Sequence, residues 1–234
     1  MQPTLSFALT LFLLAGLSTG AQSSGDREGM TVIDLPSPVH AGNVSIEESI
    51  YSRKSIRSFQ SDALDLQTVS QLLWATGGKT VDGITGPSRS FPSAGGIYPI
   101  EIYIVVGRAQ GIKEGLYRYS WQEHRLILAK EGDLRGPLAH AALDQMFIEE
   151  APITIVLTAY YQKTTRIYGN RGAERYVPMD AGHAAQNLYL QASALRLGTV
   201  AVGSFHDASV KQVLGLKREE PLYLLPVGKP RGSW

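Results

Sequence analysis

Arg53-Lys54-Ser55-Ile56-Arg57 is the stretch that orients the reading of this 234-residue chain, because two guanidinium groups and a hydroxyl alternate along it just ahead of an amphipathic segment. Arginine presents forked N–H donors in a rigid plane that matches phosphate oxygens better than an ammonium does, and a small hydroxyl adds one more donor. The pattern reads as a grip for an anionic ester. Further along, Phe91-Pro92-Ser93-Ala94-Gly95-Gly96-Ile97-Tyr98-Pro99 is a small-residue loop able to press its backbone against something flat. Together the two stretches point to a phosphorylated, planar ligand.

Outward from these, apolar periodicity and turn signals lay out strands alternating with helices. Asp65 ahead of Leu66, Val69, Leu72 and Leu73 predicts a capped helix that stops at Gly77-Gly78. The glycine-bearing run Lys79 to Phe91 reads as a loop, and Ile100 to Val106 as a strand rich in branched and aromatic side chains. Gly115 to Tyr119 and Arg125 to Leu128 flank a short polar loop and predict a hairpin. A polar helix is expected over Leu138 to Phe147, and the nearly unbroken apolar run Pro152 to Thr158 predicts a central strand. A long helix follows, Met179 to Leu197, with many small residues along it and Gly198 expected as its left-handed cap. A strand Thr199 to Val202, a short helix capped by Asp207 and a last strand Leu222 to Val227 complete the pattern. Thr31 to Asn43, with two prolines and no periodicity, reads as an arm.

Composition narrows the chemistry. The balance of 22 basic and 21 acidic side chains, with no basic cluster of useful length, argues against a nucleic-acid partner; Lys217-Arg218 is followed at once by Glu219-Glu220. The chain has no cysteine, which excludes disulfides, thiolate nucleophiles, iron–sulfur clusters and thiolate zinc sites. Redox chemistry would have to come from a bound cofactor. The absence of a Gly-x-Gly-x-x-Gly turn and of a Gly-Lys-Ser phosphate cradle disfavours the dinucleotide fold and P-loop nucleotidases. At the amino end, the apolar core Leu5 to Leu17 is short for a membrane span and reads as a secretory signal peptide cleaved after Gly20 or Ala21, hence an exported, periplasmic protein. No Lys or Arg precedes that core, so an uncleaved N-terminal anchor or a misassigned start, with a cytoplasmic protein, stays open.

The ordered set Arg53-x-Ser55-x-Arg57, Pro92 to Glu101, Asp180-Ala181-Gly182-His183-Ala184-Ala185-Gln186-Asn187-Leu188, Gly203-Ser204-Phe205 and Leu225-Pro226-Val227-Gly228 resembles the FMN-dependent nitroreductase family. Within it, the proline-serine-alanine-glycine loop followed by tyrosine-proline resembles the branch of SagB-type dehydrogenases, relatives of the azoline oxidases. The likeness runs from Ile46 to Pro230. It implies an α+β nitroreductase-like fold, a mostly antiparallel central sheet flanked by helices, in a homodimer with FMN at the shared interface. Taken with the leader and arm read from the residues, the chain divides into a signal peptide or N-terminal anchor over residues 1–21, a linker arm over 22–45 and a nitroreductase-like FMN-binding domain over 46–234, with no integral membrane domain beyond that leader.

By the same resemblance Arg53 and Ser55 contact the phosphate, and Arg57 reaches the pyrimidine edge of the ring. Pro92, Ser93, Ala94 and Gly95 touch the ring across the dimer boundary, and Gly203 and Ser204 supply the turn whose N–H faces N5. Longer members place a lysine and arginine beyond the last strand; Lys229 and Arg231 stand there in this chain. Azoline oxidases use an adjacent lysine-tyrosine pair as base, whereas this chain has Arg175-Tyr176. Arginine stays protonated, so Tyr176 is left as a proton donor or a surface tyrosine. His183 reads as a buried or interface histidine and His206 as a loop residue, while Trp74, Tyr98, Tyr117 and Tyr119 either wall a pocket or fill the core. The expected activity is ping-pong hydride transfer between a reductant such as NAD(P)H and a small organic acceptor. A flavin-binding protein without turnover, and a dehydrogenase acting on a peptide azoline, are the alternatives.

Overall fold

The computed structural model describes residues 31–83 and 86–232, so the expected leader and its cleavage site lie outside the described residues. The described chain begins with β1 (Val32–Asp34), α1 (Ile46–Ser52), α2 (Leu66–Gly77), β2 (Lys79–Gly83), β3 (Gly86–Arg89) and β4 (Ile100–Val106). It continues through β5 (Gly115–Ser120), β6 (Arg125–Glu131), α3 (Arg135–Ala141), α4 (Phe147–Glu150), β7 (Ile153–Ala159) and α5 (Gln162–Tyr168). A π-helical turn (Gly172–Tyr176) leads into α6 (Val177–Ala194), then β8 (Gly198–Thr199), α7 (Asp207–Leu214) and β9 (Glu220–Gly228).

Seven strands form one sheet in the order β1-β6-β5-β4-β7-β9-β8, and every paired neighbour is antiparallel. The middle of the sheet is set by the two most apolar runs: β4 and β7 pair from Ile100↔Ala159 to Val106↔Ile153. Both faces of these strands are buried, and successive side chains feed two different cores. Ile102, Ile104, Ile155 and Leu157 face α2 and α6, with Leu72, Leu73, Ala184 and Leu188. Tyr103, Val105, Val156 and Leu224 face α3, α4 and α7, with Leu138, Ile148 and Val210. The result is the α+β architecture expected, a sheet between two helical layers.

The helix that carries much of the site, α6, earns its close approach through small side chains. Ala181, Ala184, Ala185 and Ala192 are buried against the sheet and α2, with Leu188 as the bulky member. The other buried helix, α2, starts where its sequence says it should: Asp65 accepts from the Thr68 N–H at 2.7 Å.

Several local expectations are corrected. The run from Lys79 to Phe91 is not a plain loop, because β2 and β3 pair antiparallel within it. The single helix over Leu138 to Phe147 is two short ones, since Leu143 and Asp144 take positive φ (+60° and +57°) that no α-helix accommodates. Gly198 is not the cap of α6. Arg196 takes the left-handed conformation instead, at φ +56°, and Gly198 opens β8. The strand expected over Thr199 to Val202 shrinks to β8, with Val202 making a separate bridge to Leu224. Asp207 is the first residue of α7 and His206 its cap position. The arm is partly ordered as a strand, because β1 pairs with β6 through Val32↔Ile127. The amphipathic helix stands where its Asp65 cap placed it, from Leu66, while Arg53 closes a further short helix, α1, that the sequence reading did not include.

Candidate functional site

The stretch Arg53 to Arg57 leaves the end of α1 and runs extended along β8. The Arg53 N–H donates to the Ser49 carbonyl at 3.1 Å, and the Ile56 N–H to the Thr199 carbonyl at 2.9 Å. Alternation then turns Ile56 inward and leaves Ser55 and Arg57 exposed. The inward side is tight: a Cβ on Gly198 would lie 2.6 to 2.7 Å from Cβ, Cγ1 and Cγ2 of Ile56. Glycine is there for close approach, not for a turn.

Tyr189 on α6 organises the outward side, and nothing in the sequence singled it out. Its hydroxyl accepts from the Ala201 N–H at 2.9 Å and bonds Ser55 Oγ at 2.9 Å. The Arg53 guanidinium stands 5.4 Å from the centre of its ring. Arg57 has no side-chain partner among the described residues, so all of its donors are available.

Two residues past Ala201 the chain leaves the sheet. Val202 and Leu224 exchange N–H···O=C bonds of 2.9 and 3.0 Å, and Gln145 Nε2 holds the Ser204 carbonyl at 2.8 Å. Between those fixed points the N–H groups of Gly203 and Ser204 are exposed and without partners among the described residues. Arg53, Ser55, Arg57, Gly203 and Ser204 thus flank one end of the sheet around β8, with backbone and side-chain donors and no carboxylate among them.

The Pro92–Gly95 loop is held elsewhere, by the first half of α6. Ser93 Oγ donates to Asp180 Oδ2 at 2.5 Å and accepts from the Tyr98 N–H at 2.9 Å. His183 Nδ1 lies 3.3 Å from the Pro92 carbonyl, and Asn187 Nδ2 donates to the Ser90 carbonyl at 2.7 Å. Burial raises the Asp180 carboxyl above its usual range, against the opposing pull of Ser93, the Ala94 N–H, His183 and Arg89. Because the Ser93 proton is committed to Asp180, its hydroxyl has only acceptor capacity left for a ligand. The Gly95 N–H is an exposed donor of the loop, at φ +62° and without a partner among the described residues. Beneath the loop lies Arg89, pushed down to about 10 by burial, donating to the carbonyls of Gly77 at 2.7 Å and Ile100 at 2.6 Å.

Asp180 and Tyr189 are nine residues apart on one helix, which separates the two clusters by about 13 Å along its axis. One chain therefore does not bring all the expected residues together. Arg231 donates to the Phe59 carbonyl at 2.9 Å with Glu150 3.7 Å away, and Lys229 pairs with Asp62 at 3.0 Å. Tyr176 is in neither cluster; it packs edge-on against Tyr168. His183 is exposed rather than buried, Tyr117 and Tyr119 are core, and Tyr98 leans half-buried on Phe91. Trp74, stacked on His40, walls a groove of about 710 Å³ between the arm, α1, α2 and α6.

A family model described as the nitroreductase family matches residues 50–229. The chain belongs to the nitroreductase family. It is 42% identical over 186 residues to the "Putative nitroreductase MJ1384" of Methanocaldococcus jannaschii, covering 80% of this chain and 91% of that one. A crystal structure of a nitroreductase, itself so named as putative, from Ralstonia eutropha superposes with a TM-score of 0.74 at 29% identity, covering 86% of this chain and 90% of that one. A chain of the Escherichia coli microcin synthetase McbBCD complex with truncated pro-MccB17 shares the fold at a TM-score of 0.66 and 21% identity, over 95% of this chain and 85% of that one. Nitroreductase membership and these relatives support an oxidoreductase role for the chain.

Proposed function

We propose that this nitroreductase-family protein is an FMN-dependent oxidoreductase, working as a homodimer, that passes hydride from a reductant such as NAD(P)H to a small organic acceptor in ping-pong order. The observation that carries the reading is the row of Arg53, Ser55 and Arg57 beside the N–H groups of Gly203 and Ser204, which have no partners among the described residues. These residues fit the group: cations and a hydroxyl suit a phosphate, and open backbone donors suit a ring edge. Arg53 and Ser55, braced by Tyr189, would hold the phosphate; Arg57 would stand at the pyrimidine edge, and Gly203 and Ser204 at N5. Flavin supplies reversible two-electron hydride chemistry when bound. The protein's part is to bind, orient and stabilise negative charge.

The two-cluster geometry favours a second copy. The Gly95 donor and the Arg53 grip are too far apart on one α6 to frame a single ring from both sides, so the loop of one protomer would cover the site of its partner. Exposed apolar side chains on α1 support this: Ile46, Ile50 and Tyr51 are 55%, 57% and 93% exposed. Export is part of the reading and rests on the Leu5 to Leu17 run; among the described residues no helix is long and apolar enough to cross a membrane. The experiment is FMN uptake followed by anaerobic reduction with NADH and NADPH. Uptake abolished by Arg53→Ala, and fast bleaching with reoxidation by a quinone, is the expected result; bound flavin that no donor reduces would favour a carrier without turnover.

The likeness to a microcin synthetase chain favours one second reading, oxidation of a peptide heterocycle. Arg175 stays protonated, so Tyr176 would have to serve without a lysine base.

A further inference from the structure

The helical excursion between β7 and α6 contains a group of donors that the flavin site leaves unused. Tyr168, the last residue of α5, sets its ring edge-on to Tyr176, with centroids 5.0 Å apart and planes at 77°. Arg171 Nε donates to the Tyr176 hydroxyl at 2.9 Å, and the guanidinium carbon stands 5.7 Å from the centre of that ring. Since the Tyr176 oxygen accepts from Arg171, its own proton is free to point outward. The Tyr168 hydroxyl and the remaining Arg171 nitrogens have no partners among the described residues.

Two further observations give this cluster a place and a sign. A Cβ on Gly95 would sit 2.6 Å from the Tyr168 hydroxyl, so the group abuts the loop that presents the Gly95 N–H. Arg166 and Arg175 are exposed on the same excursion, where the one carboxylate is Glu174; Lys163 is already paired with Glu101 at 2.6 Å. A π-helical turn holds Tyr176 and Arg171 in this relation, and such turns recur where a helix is reshaped around a site. Two hydroxyl donors and a guanidinium, whose outward donors have no acceptor bonded to them among the described residues, complement a carboxylate or a phosphate group.

We propose that Arg171, Tyr176 and Tyr168 form an anion subsite beside Gly95 that selects a substrate bearing a carboxylate or phosphate group. The proposal rests on the flavin reading for its meaning, since a subsite at Gly95 adjoins the ring only if the loop covers the flavin of the partner. It gives Tyr176 a binding role in place of proton donation. Arg166 and Arg175 add attraction at longer range, which salt weakens.

The test is calorimetric titration of FMN-treated protein with 4-nitrobenzoate, phenyl phosphate and the neutral 4-nitrobenzamide, with flavin content read separately by absorbance. At least one anion is expected to bind about 10-fold or more tighter than the amide, as a hydrogen-bonded charge pair gives. Which of the two binds tells carboxylate from phosphate. Arg171→Gln should erase the preference, and Tyr176→Phe should weaken it by about 5-fold, while urea midpoint and flavin content stay at wild-type values. In turnover of 4-nitrobenzoate, or of 4-nitrophenyl phosphate where phosphate is the anion preferred, the nitro group accepts the hydride, and Tyr176→Phe should raise KM and leave kcat in place. Equal binding of the anions and the amide, or a preference that survives Arg171→Gln, overturns the proposal. A fall in kcat with KM unchanged overturns the binding role of Tyr176. Because heat of binding requires no flavin, a colourless protein that still discriminates would sink the flavin reading and leave the subsite standing.

Discussion

Gly198→Ala is the change that probes most sharply how the arginine grip is held. The added methyl would fall 2.6 Å from Ile56 Cβ and 2.7 Å from both of its γ carbons, about an ångström inside ordinary contact. A β-branched side chain cannot rotate away from a contact at its own Cβ. The strand must therefore separate from the Arg53–Arg57 segment, straining the Ile56 N–H bond to Thr199 and carrying Ser55 away from Tyr189. Overpacking of this kind costs about 1–3 kcal/mol, and the displaced hydroxyl pair adds about 1 kcal/mol. Urea unfolding would measure the loss, and FMN retention after gel filtration would report the displaced grip. The partner test is Ile56→Gly with Gly198→Ala, which removes every one of the contacts at fault. The double variant should be more stable than the sum of the singles by about 1–2 kcal/mol. Additive effects, or a Gly198→Ala protein as stable and as yellow as wild type, would refute the reasoning.

Other outcomes follow from neighbouring contacts. Tyr189→Phe leaves the Ala201 N–H and Ser55 without their shared partner, and should cost about 1–2 kcal/mol in urea unfolding together with weaker FMN retention. Ser93→Ala strands the Tyr98 N–H and should lower stability by about 1–3 kcal/mol in urea unfolding. The folded carboxyl of Asp180 lies above the unfolded value of 3.8, so the native state holds its proton more tightly. Its contribution is greatest below 3.8 and is lost as pH rises through the raised value; the stability of wild type relative to Asp180→Asn should fall across that window. Arg57→Ala should leave stability within about 0.5 kcal/mol, because the side chain is exposed. The bound flavin of that variant should have a lower reduction potential, read by dye equilibration.

Where local chemistry acts alone, the sequence was sufficient. The Asp65 cap, the Gly78 stop and the apolar runs of β4 and β7 fixed α2 and the centre of the sheet. Where tertiary contacts decide, it was not. Gly198 looks like a helix cap by position, yet the left-handed residue is Arg196 and the glycine serves Ile56 across the fold. The short α1 had a legible start, Ser45 with Glu48 three residues on, whose N–H donates to Ser45 Oγ at 3.0 Å. Seven residues gave too little periodicity to reveal the helix. Tyr189 could not be read in advance, since its partners Ser55 and Ala201 meet it only once the strands are in place. The same holds for Asp180, whose partner Ser93 is 87 residues away.

A flavin gripped by Arg53, Ser55 and Arg57 between two copies of the chain would be visible in a single run of size-exclusion chromatography with light scattering and visible absorbance after incubation with FMN. The expected result is a yellow peak at twice the chain mass with one flavin per chain, lost in the double variant Arg53→Ala, Arg57→Ala. A colourless peak, or flavin uptake that the double variant retains in full, would contradict it.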